Sequence, residues 1–234
     1  MLRALNFQDL EALFKGALWT VALCLSSGII GTVVGLALGL AATSPSWVAR
    51  WIAKVYVNFV RGIPLLIIIF FSYFGIPLMF PNLALSAFAT AVIALSVFAA
   101  AYMAEIFRGS INAVPKEQTE AAEALGLSYQ LKYRYVIMPQ AMRTAVPPGI
   151  GFLIALVKDS SLVTVIGFIE LTNTGTIISN LTADPIMTYS VVAAFYFVIC
   201  YGVSILGRQY EKKAGIQSHS LDSQKPATLQ FEGV

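Results

Sequence analysis

Residues 16–49 read GALWTVALCLSSGIIGTVVGLALGLAATSPSWVA, a run that contains no charged side chain. A helix needs about 20 apolar residues to cross the hydrocarbon of a bilayer, because it rises about 1.5 Å per residue through a layer about 30 Å thick. The apolar part of a cleaved signal peptide is only about 7–15 residues long. The run therefore predicts a retained membrane-spanning helix.

The composition of the whole chain agrees with this interpretation. Of its 234 residues, 58% are hydrophobic and 12% are charged, and the mean hydropathy is +0.77. Soluble domains carry about 25% charged residues. The composition predicts an all-α integral membrane protein without a sizeable soluble domain. The single histidine excludes a His-rich metal site, and we predict no metal ligands.

Hydropathy divides the chain into a membrane domain over residues 1–212 and a polar tail over residues 213–234. The tail has no apolar periodicity, which predicts a disordered cytoplasmic segment. The membrane domain is long enough for a bundle of five transmembrane helices. These spans are predicted near residues 17–42, 55–76, 84–107, 147–170 and 186–207.

Basic residues are distributed unevenly among the segments between the spans. Lys and Arg follow the first, third and fifth spans, whereas the segments near 77–83 and 171–185 contain none. The positive-inside rule then predicts a periplasmic N-terminus and a cytoplasmic C-terminus. The most basic of the inter-span segments is the predicted cytoplasmic loop 109–145.

The first span carries three glycines at intervals of four, Gly31, Gly35 and Gly39. Residues four apart share one face of a helix, and glycine lets a neighbouring backbone approach closely. We favour packing against another helix of the same chain over contact with a second subunit.

The cytoplasmic loop has the pattern of two short helices. Pro115 suits the first turn of a helix over Lys116–Ala124, and Gly126 suits a left-handed C-terminal stop. Ser128 is a typical cap for a second helix, which Pro139 is predicted to end. We expect both helices to lie parallel to the membrane.

Small side chains dominate the end of the first of these helices. Ala121, Ala122 and Ala124 would let that helix sit deep in a groove of a partner protein, and Gly126 would fix the direction of the chain that follows. The alternative is an amphipathic connector that floats at the membrane interface.

The spacing within this loop resembles the coupling loop, or EAA loop, of bacterial ABC importer permeases. That pattern is Glu-Ala-Ala, three residues, Gly, nine residues and Ile-x-Leu-Pro; here Glu120-Ala121-Ala122, Gly126 and Val136-Ile137-Met138-Pro139 stand at the same intervals. The resemblance implies contact with an ATPase subunit. The ATPase-coupling residues that it implies are Glu117, Glu120, Ala121, Ala122, Ala124, Leu125, Gly126 and Pro139.

Three further segments are similar to the polar amino acid branch of these permeases, the histidine, glutamine, glutamate and arginine type. They are Arg61–Leu66, Ala104–Gly109 and Lys158–Leu162, and the resemblance covers residues 10–212. It implies a multi-pass protein of the bacterial inner membrane that moves a polar amino acid into the cytoplasm.

The same resemblance implies the partners. They are an ABC ATPase dimer, a periplasmic solute-binding protein, membrane lipid, and a second permease that is either an identical copy or a sister chain. ATP and Mg²⁺ would be used by the ATPase, and this chain would bind no cofactor. No nucleic acid partner is implied.

Several polar side chains lie inside the predicted spans. A charge near the middle of a membrane costs about 2.5–3.5 kcal/mol on insertion scales, so such residues usually face a bundle interior or a water-filled path. The alternative to a role in the substrate pathway is a structural charge network between spans or a contact between permeases. Arg61 is also a candidate snorkelling anchor at the membrane surface. Glu105 is also a candidate partner of Arg108. The candidate substrate-pathway residues are Arg61, Glu105, Lys158, Asp159, Ser160 and Ser161.

The chain contains no phosphate-binding glycine loop followed by Lys and Ser or Thr. Such a loop is needed to bind nucleotide in P-loop ATPases, so we predict that this chain is not itself an enzyme. Two other classes remain at this point. One is a secondary amino acid transporter driven by an ion gradient through Lys158, Asp159 and Glu105; the other is a non-transporting membrane scaffold.

Overall fold

The regular structure of this chain is helical wherever the structure describes it. A computed structural model describes residues 5–82 and 85–213, and within these ranges no strand is present. The predicted all-α class is therefore confirmed. The helices are α1 (Phe7–Thr43), α2 (Trp47–Arg61), α3 (Leu65–Met79), α4 (Ala87–Asn112), α5 (Lys116–Ala124), α6 (Tyr129–Ile166), α7 (Leu171–Thr182) and α8 (Pro185–Lys213).

Four of the described helices, α1, α4, α6 and α8, are long and apolar enough to cross a membrane. A fifth span results if α2 and α3 are counted as one, although their axes are bent by 101°. The break between them falls at Gly62–Pro64, inside the predicted span 55–76. Pro64 cannot donate a backbone hydrogen bond, so the helix restarts after it at Leu65.

The glycine face of α1 packs directly against α4. A Cβ atom added at Gly35 would lie 2.6 Å from the Cβ of Met103, and one added at Gly39 would lie 2.7 Å from the Cβ of Phe107. Gly31 meets Ala99 in the same way. Contact this close requires residues without a side chain, and the prediction of packing within one chain is confirmed.

The prediction that Pro139 ends the second loop helix is wrong. Helix α6 runs without a break from Tyr129 to Ile166, past Pro139 and into the predicted span 147–170. Its turn Tyr133–Ile137 is a π turn, which ends two residues before the proline. We attribute the continuity to this widened turn, because it shifts the backbone register where the proline ring would otherwise meet the preceding carbonyl.

The C-terminal end of α6 also differs from the predicted span 147–170. The helix tightens to 3-10 turns over Ser160–Ile166 and stops at Gly167, whose φ is 75°. A left-handed residue ends a helix readily when it is glycine. The chain then turns into the separate helix α7.

Helix α7 is held between the first and the last spans. Its apolar residues Leu171 and Ile178 pack with Leu13 of α1 and Val192 of α8. At the end of the chain, α8 extends to Lys213. The predicted disordered tail, 213–234, lies outside the described residues from position 214 onward.

Candidate functional site

The first loop helix, α5, ends in a Schellman motif. The Gly126 N–H donates to the Glu123 carbonyl at 2.9 Å, and the Leu127 N–H donates to the Ala122 carbonyl at 3.1 Å. Gly126 has the left-handed φ of 72°, as the sequence predicts. A Cβ atom at this position would meet no atom within 4 Å, so Gly126 is required for its conformation and not for space within the chain.

Most of the predicted coupling residues form an exposed face on α5 and the turn after it. Leu125 is the most apolar of them and is 80% exposed. The exposed members are Glu117, Glu120, Ala121, Ala124, Leu125 and Gly126.

Ala122 does not belong to that face. It is 2% exposed and lies against the chain itself, which contradicts its predicted place in a partner's groove. Residues on a helix point in directions about 100° apart, and Ala122 is the residue of α5 that points towards the chain while Ala121 points outward. A small residue at Ala122 instead allows α5 to sit closely on its own chain.

A buried lysine clamps α5 to the start of α6. Lys132 Nζ lies 2.5 Å from Glu123 Oε1, the Lys132 side chain is only 10% exposed, and its Nζ lies 5.8 Å from the centroid of the Tyr129 ring. A second contact joins the same helices, since Gln140 Nε2 donates to Gln118 Oε1 at 3.3 Å.

Because α6 is continuous as far as Ile166, the clamp connects α5 directly to a membrane span. The sequence did not predict this clamp. Glu123 and Lys132 are nine residues apart on opposite sides of the Schellman turn, so no helical periodicity relates them.

A cavity of about 610 Å³, lined by both charged and apolar side chains, lies between the end of α1, α2 and α4. Glu105 lines it and accepts two hydrogen bonds from Arg108, from Nε at 2.9 Å and from Nη2 at 2.5 Å. The predicted pairing of these two residues is confirmed. Arg61 also lines the cavity, with its guanidinium carbon 5.2 Å from the centroid of the Tyr102 ring.

Arg61 and Glu105 also line a second cavity of about 340 Å³, so the structure brings these two predicted pathway residues together. The structure does not place the other four predicted pathway residues beside Arg61 and Glu105. Lys158, Asp159, Ser160 and Ser161 line neither cavity.

The two serines of that group bond to their own helix. Ser160 is fully buried, and its hydroxyl donates to the Val157 carbonyl at 2.8 Å. The Ser161 hydroxyl donates to the Lys158 carbonyl at 2.7 Å. Lys158 is exposed and Asp159 is partly buried at the point where α6 tightens. A substrate role for these four residues stays a prediction.

Glu170 is a functional candidate that the sequence reasoning missed. It has no exposed surface, it caps the N-terminus of α7, and both of its carboxylate oxygens accept hydrogen bonds. The predicted span 147–170 simply ended at Glu170. The available signal was that Glu170 is the only acidic residue between positions 160 and 183 and precedes a segment rich in hydroxyl side chains. Its donors are the hydroxyls of Thr20 (3.2 Å), Thr164 (3.1 Å) and Tyr196 (3.1 Å) and the backbone N–H groups of Thr172 (2.9 Å) and Asn173 (2.9 Å).

A family model described as "binding-protein-dependent transport system inner membrane component" matches residues 8–215. Among curated proteins, the chain is 39% identical to a Bacillus subtilis protein named probable amino-acid ABC transporter permease protein YckA, over 89% of this chain and 92% of the relative. It is 37% identical to the Escherichia coli K12 glutamine transport system permease protein GlnP, over 86% of this chain and 91% of that one.

Solved structures give the same picture. A chain from a structure described as an amino acid ABC transporter with histidines is 32% identical and superposes with a TM-score of 0.81, over 90% of this chain and all of that one. A chain of the inward-facing MetNI methionine transporter superposes with a TM-score of 0.78 at 21% identity, which supports the fold alone.

Proposed function

Because this chain belongs to the family of binding-protein-dependent transport system inner membrane components, we propose that it is the permease subunit of an ATP-driven importer for a polar amino acid. The resemblance inferred from the loop spacing is confirmed by this membership. The chain is a multi-pass inner membrane protein and a non-enzymatic component of its transporter.

One observation carries the mechanism: α5 presents an exposed face and is clamped to a helix that continues into the membrane. In the proposed orientation this face lies in the cytoplasm, where an ATPase subunit would bind it. Movement of that subunit would be transmitted through the ion pair of Glu123 and Lys132 to α6. A rigid connection is needed because a flexible loop would absorb the displacement.

The remaining partners complete the proposal. A dimer of ATPase subunits would bind ATP and Mg²⁺, and a periplasmic solute-binding protein would deliver the amino acid. A second permease, either an identical copy or a sister chain, would close the pathway. The relatives named for glutamine and for amino acids support a polar amino acid as substrate.

The substrate pathway is proposed to pass Arg61 and Glu105, which share both cavities. Lys158 and Asp159 would contribute from α6 in the assembled dimer, with Ser160 and Ser161 shaping the helix end beside them. Transport driven by an ion gradient is disfavoured, because it leaves the exposed α5 face and its clamp without a role.

Replacing Gly126 with valine tests the coupling loop. We expect uptake in proteoliposomes with the ATPase and the binding protein to fall about tenfold, because a left-handed β-branched residue costs at least about 1–2 kcal/mol and α5 would lose its orientation. Gly126→Asn is the matched control and should retain most of the uptake, since asparagine tolerates this conformation. Full uptake by the valine variant would contradict the proposed role of this turn.

Replacing Lys132 with methionine tests the clamp. Methionine fills a similar volume but cannot pair with Glu123, which is largely exposed and stays hydrated. We expect the ratio of amino acid uptake to ATP hydrolysis to fall about threefold or more, because the motion of α5 is no longer passed to α6.

Lys132→Arg keeps the charge and should remain close to wild type in the same assay. The ratio of uptake to hydrolysis is measured in one reconstituted preparation of each variant. An unchanged ratio in the methionine variant would show that the ion pair does not transmit the motion.

A further inference from the structure

We propose that the polar face of α2 is the route by which the substrate's carboxylate leaves towards the cytoplasm, with Lys54 as its intermediate cation. It follows that the transporter favours neutral and acidic amino acids over basic ones. This inference rests on the proposed importer function and adds to it a substrate class and a residue outside the predicted pathway.

The route is a stripe along one side of α2. Arg50, Lys54, Asn58 and Arg61 are four, four and three residues apart, which places them on one helix face, and all four line the 610 Å³ cavity. The stripe spans eleven residues, or about 16 Å along the helix axis. It therefore extends from Arg61, beside Glu105, to the first turn of α2, next to the end of α1.

The charges along this cavity do not balance. Its lining contains four cations, and its one carboxylate, Glu105, is held by two hydrogen bonds from Arg108. The cations Arg50, Lys54 and Arg61 are therefore not balanced by a carboxylate in the cavity lining. A cavity lined by one sign of charge concentrates ligands of the other sign.

Lys54 is the most available of the three remaining cations. Arg50 Nη1 donates to the Ser44 and Pro45 carbonyls at 2.8 and 2.7 Å, and Arg61 lies over the Tyr102 ring. Within residues 5–82 and 85–213, no ion pair involves Lys54. Its flexible ammonium can therefore follow a carboxylate from Arg61 towards the cytoplasm.

Every amino acid carries the carboxylate that this stripe would recognise. Acidic amino acids carry a second one, whereas basic amino acids have a net positive charge that the unbalanced cations repel. The rival explanation is that Arg50 and Lys54 bind anionic lipid headgroups, as basic residues at a cytoplasmic surface often do. Their position on a cavity shared with Arg61 and Arg108 favours the substrate.

The test uses the full complex of permease, ATPase and binding protein in liposomes, with radiolabelled L-glutamine, L-glutamate and L-arginine as separate probes. For Lys54→Glu we expect the maximal rate to fall about fivefold with glutamine and further with glutamate, because the reversed charge repels the carboxylate. The KM for the loaded binding protein should stay unchanged. Lys54→Arg keeps the charge and should lose less of the rate than Lys54→Glu. The control is Lys212→Glu, which changes an exposed lysine outside the cavity and should transport normally.

Three results would overturn the inference while leaving the importer function intact. They are an unchanged rate for Lys54→Glu, a clear preference of the wild type for arginine, and a defect that disappears when anionic lipid is replaced by phosphatidylcholine. A defect that disappears in phosphatidylcholine would show that Lys54 binds anionic lipid headgroups. Absence of uptake of every polar amino acid by the wild-type complex would instead overturn the proposed function, and this inference with it.

Discussion

Replacement of Gly35 with leucine is expected to abolish the recovery of folded protein. Even the Cβ atom of a new side chain would lie 2.6 Å from the Cβ of Met103 and 3.0 Å from the Ala100 carbonyl oxygen and the Ala104 nitrogen. Two of these three atoms belong to the α4 backbone and cannot move aside by rotation. The packing of α1 on α4 would have to open along its length, because both helices are rigid.

The measurement is the yield of monodisperse protein in mild detergent, followed by its thermal stability. Gly202→Leu is the matched control, because Gly202 also lies in a membrane helix, α8, but has no heavy atom within 4 Å of an added Cβ. We expect that control to purify normally. If both variants purify with the stability of the wild type, the close approach of α1 and α4 is wrong.

The second large effect is expected for Glu170→Ala. Removal of this buried carboxylate leaves the N–H groups of Thr172 and Asn173 without their acceptor at the start of α7. Each buried donor that loses its partner costs about 1–3 kcal/mol, so the free energy of unfolding should fall by about 2–6 kcal/mol. The hydroxyl of Thr20 is affected less, because it also donates to the Gly16 carbonyl.

Glutamine should not restore this stability. The Thr172 N–H bonds one carboxylate oxygen and the Asn173 N–H bonds the other, so either orientation of an amide places its NH₂ group against a donor. Thermal unfolding in detergent compares both variants with Glu11→Ala, which removes an exposed carboxylate paired with Lys15. The control should change the stability by less than about 0.5 kcal/mol. A Glu170→Gln variant as stable as the wild type would contradict the requirement for two acceptor oxygens at the start of α7.

The features that the sequence predicted depend on local composition and spacing. The apolar run 16–49 was enough to predict a first span, and three glycines spaced four residues apart were enough to predict its close packing. Gly126 could be assigned because a left-handed stop depends only on the residues around it. The coupling pattern was recognisable for the same reason, since it lies within one short segment.

The features that the sequence did not predict depend on the register of the backbone or on distant contacts. Pro139 was expected to end a helix because proline usually does so. The π turn that lets the helix continue leaves no pattern in the residue types, so the sequence could not reveal it. The inward position of Ala122 follows from how α5 sits on α6, which neighbouring residues do not determine. Glu170 meets Thr20 across 150 positions of the chain, beyond the reach of any periodicity.

The unbroken course of α6 has a thermodynamic consequence. The helix comprises 38 residues, a length of about 57 Å, and links the clamped loop helix to the far end of the bundle. Free-energy coupling between two binding events is reciprocal. Suppose that nucleotide bound to the ATPase alters the transporter's affinity for the loaded binding protein. The loaded binding protein must then alter the affinity for nucleotide by the same factor. Titration of either ligand in the presence of the other therefore measures the same coupling free energy.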